Sequence, residues 1–169
     1  TATPDRTDRS DILSLCDDNL VFEYPLFEGV NGQFLVPFHY YGIYDETVDY
    51  TEIPWRNGKF DPNLLANKLA TYGRAKHVHR VWGEQKQSRT LAFCVSRVHA
   101  DFMADQFSKK GVRSAAVHGE SEMSRGEALE KLENGQLDVI FSVDLFNEGV
   151  DLPAIDTVLL LRPTESKIL

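Results

Sequence analysis

The sequence predicts an α/β fold built on a mainly parallel sheet with helices on both faces. Two observations carry this expectation. From Arg89 onward, short apolar strands alternate with helix-length segments in the order β-α-β-α-β-β, a pattern that places successive strands side by side and parallel. Each strand then runs into a polar or glycine-bearing stretch, most clearly where the apolar run 139–143 gives way to Asp144 and then to Gly149-Val150-Asp151. Open α/β sheets place their ligands at such carboxyl ends.

Composition sets the bounds. The chain has 169 residues, 42% of them hydrophobic, which suits one domain with a real core, alone or with a small extra element. It carries 26 acidic against 18 basic residues, a net charge of −8. That balance argues against a free-standing domain that holds nucleic acid through a broad basic surface. Phosphate contacts made by backbone amides and hydroxyls at helix N-termini remain compatible with it. No apolar run reaches the length of a membrane span and no signal peptide opens the chain. Cys16 and Cys94 are far apart in sequence and read as reduced thiols of a cytoplasmic protein.

Taken in order, 1–10 is polar and reads as a linker, 11–15 as a short helix, and 19–24 as a short strand. Residues 28–32 form a turn or short helix. The stretch 34–44 (FLVPFHYYGIY) is rich in aromatic and β-branched residues and is expected to be a strand, with Pro37 favouring an edge or a bulge. Asp45, Glu46, Asp49 and Glu52 read as a solvated acidic loop, followed by a turn at 56–59. Asp61-Pro62 starts a helix. Leu65, Leu69, Tyr72, Ala75, Val78 and Trp82 then form one apolar stripe, with Gly73 as a possible kink.

In the regular half, 90–95 is the first strand. Ser96-Arg97 opens a helix whose core face is Ala100, Met103, Ala104 and Phe107, with His99 expected to face solvent. Lys109-Lys110-Gly111 ends that helix. The second strand is 114–117, the third 138–143 and the fourth 156–161. Ser124 to Glu127 is a capping box for the helix between the second and third strands. The strand ends at Ser96-Arg97, His118-Gly119, 142–151 and 162–166 all offer hydroxyls, glycines or charges suited to phosphate oxygens. The same residue types also serve as ordinary caps and turns. His77 and His79 lie two apart on a helix and so point to nearly opposite faces, which disfavours a metal pair. His39 reads as a packed or edge residue. Neither G-x-x-x-x-G-K-[ST] nor G-x-G-x-x-G occurs.

Four stretches together resemble a family: TATP at 1–4, TLAFCVSRVHADFMADQF at 90–107, AAVHGE at 115–120 and VIFSVDLFNEGVDLPAIDTVLLLRPTES at 139–166. In this order and spacing they are similar to the second RecA-like domain of superfamily 2 helicases and translocases. The segment 1–4 resembles motif III, 93–97 motif IV and 144–151 motif V. The wording NEGVDLP and LRPTES is closer to DNA-directed members, such as motor subunits of type I and type III restriction enzymes and excision-repair helicases, than to DEAD-box RNA helicases.

The resemblance implies a RecA-like three-layer α/β/α fold with a small strand-containing N-terminal extension. It divides the chain into a linker at 1–10, an extension at 11–88 and the domain core at 89–169. Gly149 and Asp151 match positions that approach the nucleotide, Asp151 towards the ribose. Ser96, with Arg97 beside it, matches the motif IV contact to the nucleic-acid backbone, and His118-Gly119 match a pair whose backbone lies along the strand. Ser142 neighbours the motif V threonine position, here Val143. ATP and Mg would be used by the full-length protein, with DNA and the first RecA-like domain of the same chain as partners. The segments expected to hold triphosphate and magnesium would precede Thr1, and the one carrying an arginine finger would follow Leu169. A second reading keeps the fold but makes the chain a non-enzymatic interaction module, with 34–44 as its contact edge.

Overall fold

The computed structural model describes residues 13, 17–56, 59–146 and 152–163. The chain forms two compact units, one carrying the described residues up to Tyr44 and the other spanning Asp45–Pro163. The short helix expected at 11–15 lies outside the described residues apart from Leu13.

In the first unit, α1 (Leu26–Asn31) follows Pro25, whose extended backbone sets the helix entry. The amides of Phe34 and Leu35 both donate to the Gly29 carbonyl, at 3.0 and 3.1 Å. This return of the chain explains the glycine: a Cβ at Gly29 would stand 2.8 Å from Leu35 Cδ1. The strands expected at 19–24 and 34–44 do not form. Extended backbone becomes a strand only when a neighbour completes its hydrogen-bond ladder, and among the described residues neither segment has one. Phe34, Val36, Tyr40 and Tyr44 stand exposed.

The second unit begins with a small subdomain. Asp49 caps a 3-10 turn at Tyr50–Glu52, accepting from the Thr51 amide at 2.9 Å. A two-residue hairpin follows, β1 (Trp55–Arg56) against β2 (Lys59–Phe60), antiparallel, with the Trp55 and Phe60 rings edge to face. The helix start at Asp61-Pro62 is as expected, since the Asp61 carboxylate takes the amides of Asn63 and Leu64. The single stripe, however, is two helices: α2 (Pro62–Leu69) and α3 (Tyr72–Gln85). The break falls at Ala70-Thr71, where the Thr71 hydroxyl caps a new helix by accepting from the Arg74 amide. Gly73 lies inside the first turn of α3. The two halves of the stripe also serve different cores. Leu65 and Leu69 pack with Val48 and Ile53, whereas Ala75, Val78 and Trp82 pack against the sheet.

The sheet is parallel throughout, ordered β4 (Ser114–Val117), β5 (Val139–Ser142), β3 (Thr90–Phe93), β6 (Thr157–Leu160). Helices α4 (Arg97–Ser108) and α5 (Arg125–Glu133) complete the crossovers. Strand alternation divides the core into two layers. Ala92, Cys94, Val139 and Phe141 face α3 and α4, while Leu91, Val117 and Ile140 face α5. This is the RecA-like three-layer α/β/α arrangement. Central β5 is fully buried at all four positions.

Capping holds the helix ends. Ser96 and Ser124 each accept an amide three residues on. Gly111 and Gly135 take positive φ, 82° and 69°, just beyond α4 and α5. At the amino-terminal end of the sheet, the Asp156 carboxylate accepts from the amides of Ser88 and Arg89, and Asp138 pairs with Arg113. These bonds fix strand register at the end opposite the carboxyl edge.

Phe107 joins the layers: its ring meets Trp82, His79 and Phe141 within 5.2 Å. Phe107→Ala is expected to lower the unfolding free energy by about 3–5 kcal/mol in urea denaturation, the range for deleting a fully buried aromatic ring. A loss below about 1 kcal/mol would contradict this packing role.

Candidate functional site at the carboxyl end of the sheet

The parallel strands bring their carboxyl ends to one edge of the domain. Beyond β3 the chain passes Cys94 and Val95 to Ser96, whose hydroxyl accepts from the His99 amide at 3.1 Å and opens α4. The first turn of this twelve-residue helix points unpaired backbone amides out of the sheet edge, where a phosphate oxygen is favourable. Arg97 is half-exposed and ion-paired with Glu120, which links the start of α4 to the loop after β4.

His118 closes β4. Its amide donates to the Ser121 hydroxyl at 3.0 Å, and that hydroxyl is also within 2.8 Å of the His118 carbonyl. The Glu120 amide donates to Nδ1 at 3.3 Å, so the ring proton sits on Nε2 and goes to Asp101 at 3.0 Å. The imidazole is thus buried and internally satisfied. What it offers a ligand is backbone geometry, next to Gly119, which is exposed and has open space where a Cβ would stand.

Ser142 ends β5 and is fully buried. Its hydroxyl has no hydrogen-bond partner among the described residues. Two residues on, Asp144 adopts φ 59° and its carboxylate receives Arg162 Nη1 at 3.3 Å. Arg162, just past β6, also lies over the Phe93 ring at 5.6 Å. The ends of β3, β5 and β6 therefore meet at one guanidinium. Gly149 and Asp151, the expected nucleotide-facing residues, lie outside the described residues. The structure thus brings together Ser96, Arg97, His118 and Gly119, and places Ser142 beneath them inside the core.

Beneath the edge lies a cluster that the sequence reading missed. Arg74 of α3 is 5% exposed. Its Nε donates to Asp45 at 2.8 Å, its Nη2 to the Leu161 carbonyl at 3.2 Å, and its Nη1 faces His99 Nε2 at 3.1 Å. Asp45 is therefore a partnered, largely buried acid and not part of a solvated loop. His99, expected in solvent, is fully buried because the first turn of α4 packs on α3.

His99 Nδ1 also lies 3.4 Å from the Val95 amide. A neutral imidazole accepts at only one nitrogen. Arg74 and the Val95 amide are both donors, so the neutral ring satisfies one of them, at Nε2 or at Nδ1. Burial first, and the Arg74 charge second, push the His99 pKa down to about 3. For Asp45, partial burial acts upward, but bonds from Thr47 and Arg74 outweigh it and hold the carboxyl below its ordinary value. Burial pushes the Cys94 thiol up to about 12. No local pattern marked Arg74, whose partners are 29, 25 and 87 residues away. The only sequence hint was an arginine beside the apolar stripe of an amphipathic helix.

With this geometry in place, known proteins define the class. Residues 72–168 match the model of the helicase conserved C-terminal domain, more than half of the chain, and the chain belongs to that family. Among individual relatives, a putative ATP-dependent helicase, IRC3 of Saccharomyces cerevisiae, is 25% identical over 99% of this chain and 25% of its own length. The UvrABC system protein B of Thermosynechococcus vestitus is 35% identical over 62% of this chain and 16% of its own. The ATP-dependent RNA helicase dbp3 of Sclerotinia sclerotiorum is 33% identical over 46% of this chain and 12% of its own. The chain thus spans a quarter or less of the length of these relatives. No helix among the described residues is long and apolar enough to cross a membrane.

The buried histidine gives a pH prediction. Unfolded, a histidine titrates near pH 6.5; folded, His99 stays neutral down to about pH 3. The unfolded chain therefore binds the extra proton as pH falls. The stability His99 contributes is complete above about pH 6.5 and is lost progressively below it, by at most about 1.4 kcal/mol per pH unit. His79, also lowered, acts in the same sense, and Asp45 adds its share only below about pH 4. Urea denaturation between about pH 6.5 and 4.5 should show this decline, and His99→Gln should flatten it. Equal slopes in the two proteins would contradict the buried neutral imidazole.

Proposed function

We propose that this chain is the second motor domain of an ATP-dependent superfamily 2 DNA helicase or translocase. It supplies one side of the ATP cleft and a row of backbone-directed contacts to a nucleic-acid strand. The observation that supports this most is the joint placement of Ser96, Arg97 and Gly119 at the carboxyl edge of a parallel sheet. There, helix amides, a hydroxyl and an open backbone suit phosphate oxygens without a broad basic surface. The helicase family supports nucleic-acid and ATP use in general. The choice of DNA over RNA rests on the resemblance of 147–153 (NEGVDLP) and 161–166 (LRPTES) to DNA-directed motors.

In this reading Ser96 and the α4 amides hold the strand backbone, Arg97 adds charge, and the 118–119 backbone lies alongside. Gly149 and Asp151 face the nucleotide. Among the described residues, no group of three or more His, Cys, Asp or Glu side chains stands where it would hold a metal ion. Mg and the triphosphate are assigned to the partner RecA-like domain because the resemblance places the segments that hold them there. Positioning and charge stabilisation dominate phosphoryl transfer, so turnover needs both domains.

A second reading, a RecA-like protein-interaction module, is favoured by the exposed aromatic and aliphatic residues of 34–44. Activity separates the two. The 169-residue chain is expected to show no ATP turnover and weak, salt-sensitive binding of single-stranded DNA that Arg97→Gln weakens further. In a chain that carries both motor domains, Asp151→Ala should reduce DNA-stimulated ATP hydrolysis. Steady turnover by the 169 residues, or unchanged stimulation in Asp151→Ala, would overturn the corresponding assignment. Stimulation by RNA in place of DNA would overturn the choice of substrate.

A further inference from the structure

A second cationic feature lies away from the strand ends. Helices α3 and α4 run side by side, with Tyr72 against Phe102 and His79 against Phe107. Between them opens a groove of about 360 Å³ lined by Gly73, Lys76, His77, His79, Arg80 and Lys110. No carboxylate lines it, in a chain whose net charge is −8. Gly73 leaves its mouth open, with nothing within 4 Å of where a Cβ would stand.

The charges in the groove are not balanced locally. Arg80 is ion-paired with Glu84, but Lys76 and Lys110 have no ion-pair partner among the described residues. Lys76 and Arg80 stand four apart on α3, like charges on one helix face of which only Arg80 has a carboxylate partner among the described residues. The Lys110 charge is felt inside the groove, since after burial it is the second cause holding the His79 pKa below its ordinary value. His77 Nε2 is buried there without a hydrogen-bond partner among the described residues. Lysine at the end of α4 does complement the helix dipole, yet Lys109 already fills that role and is itself paired with Asp105. Lys76 on α3 and Lys110 just past the end of α4 converge on the groove.

We infer that this groove binds the phosphodiester backbone of a single-stranded nucleic acid, as a second contact separate from the strand-end site. Lys76 and Arg80 are separated by one helical turn, about 6 Å. That spread suits successive phosphates of an extended strand better than one small ion. Ser96 and Lys110 flank opposite ends of α4, a helix of 12 residues and so about 18 Å long at 1.5 Å per residue. The groove therefore lengthens the binding track and does not duplicate its first contact. The inference rests on the motor-domain reading for the kind of polyanion present.

The test measures binding of a fluorescein-labelled oligothymidylate to the 169-residue chain across salt concentrations. It compares the native protein with Lys76→Gln/Lys110→Gln and with Arg97→Gln, the fold of each being checked by circular dichroism. The double variant should bind several-fold more weakly, with a log–log salt slope shallower by about 1.4, two contacts at about 0.7 each for a single strand. The His79 ring resonances should move on adding oligonucleotide to the native chain and stay put in the double variant. An unchanged slope in the double variant, with affinity still lost in Arg97→Gln, overturns the groove and leaves the strand-end reading standing. Unchanged affinity in both variants overturns both. If inorganic phosphate moves the His79 resonances and oligothymidylate does not, the groove takes a small anion and the polynucleotide assignment fails.

Discussion

Everything in the sheet-bearing unit depends on β5 being covered on both faces. Each of its four side chains is withdrawn from water, two towards α3 and α4 and two towards the α5 side. A parallel strand in that position cannot stand alone, because its crossovers must lay helices over it before its apolar groups are hidden. Burial of β5 thus dictates the helices, and the helices dictate where the loops emerge. The carboxyl edge carries Ser96, His118 and Asp144 because covering β5 leaves that end of the strands to the connecting loops. The other end is closed by backbone amides of Arg113 and Arg89 donating to the Asp138 and Asp156 carboxylates.

Arg74 adds a constraint of another kind. One guanidinium fixes the Asp45 loop, the first turn of α4 and the carbonyl that ends β6. Two of those three places border the carboxyl edge. A shift of α4 or of the segment after β6 would strand a buried cation, which is costly unless all its partners move together. The edge is therefore held from below by charge and from the sides by packing.

Most of the regular half was legible because each signal there is local. Ser96 and Ser124 cap what they were expected to cap. Ala100, Met103, Ala104 and Phe107 form one buried face, and all four sheet strands fall within a residue or two of their apolar runs. What escaped was long-range. The 34–44 stretch has the residues of a strand but lacks a partner, and pairing is not encoded in the stretch itself. The stripe through Leu65 and Trp82 had one period but two destinations, and the Thr71 cap that divides it looked like any surface threonine. His99 and Asp45 read as solvent-facing because the arginine that joins them lies far from both in sequence. At the site, the hydroxyls and glycines at the strand ends were visible in advance, while the burial of Ser142 depends on how deep β5 sits.

Cys94 carries a practical consequence. It is 1% exposed, lies in the main core, and its thiol stays protonated up to about pH 12. The thiolate is the reactive species, so an alkylating reagent meets no nucleophile while the native packing holds. With Cys16 replaced, the alkylation rate of this chain becomes a clock for core opening, reporting the free energy of the rare excursions that let water in beside β3. Any site-specific label wanted at the carboxyl edge can be introduced on a new cysteine there, with the native one silent for as long as the protein is folded.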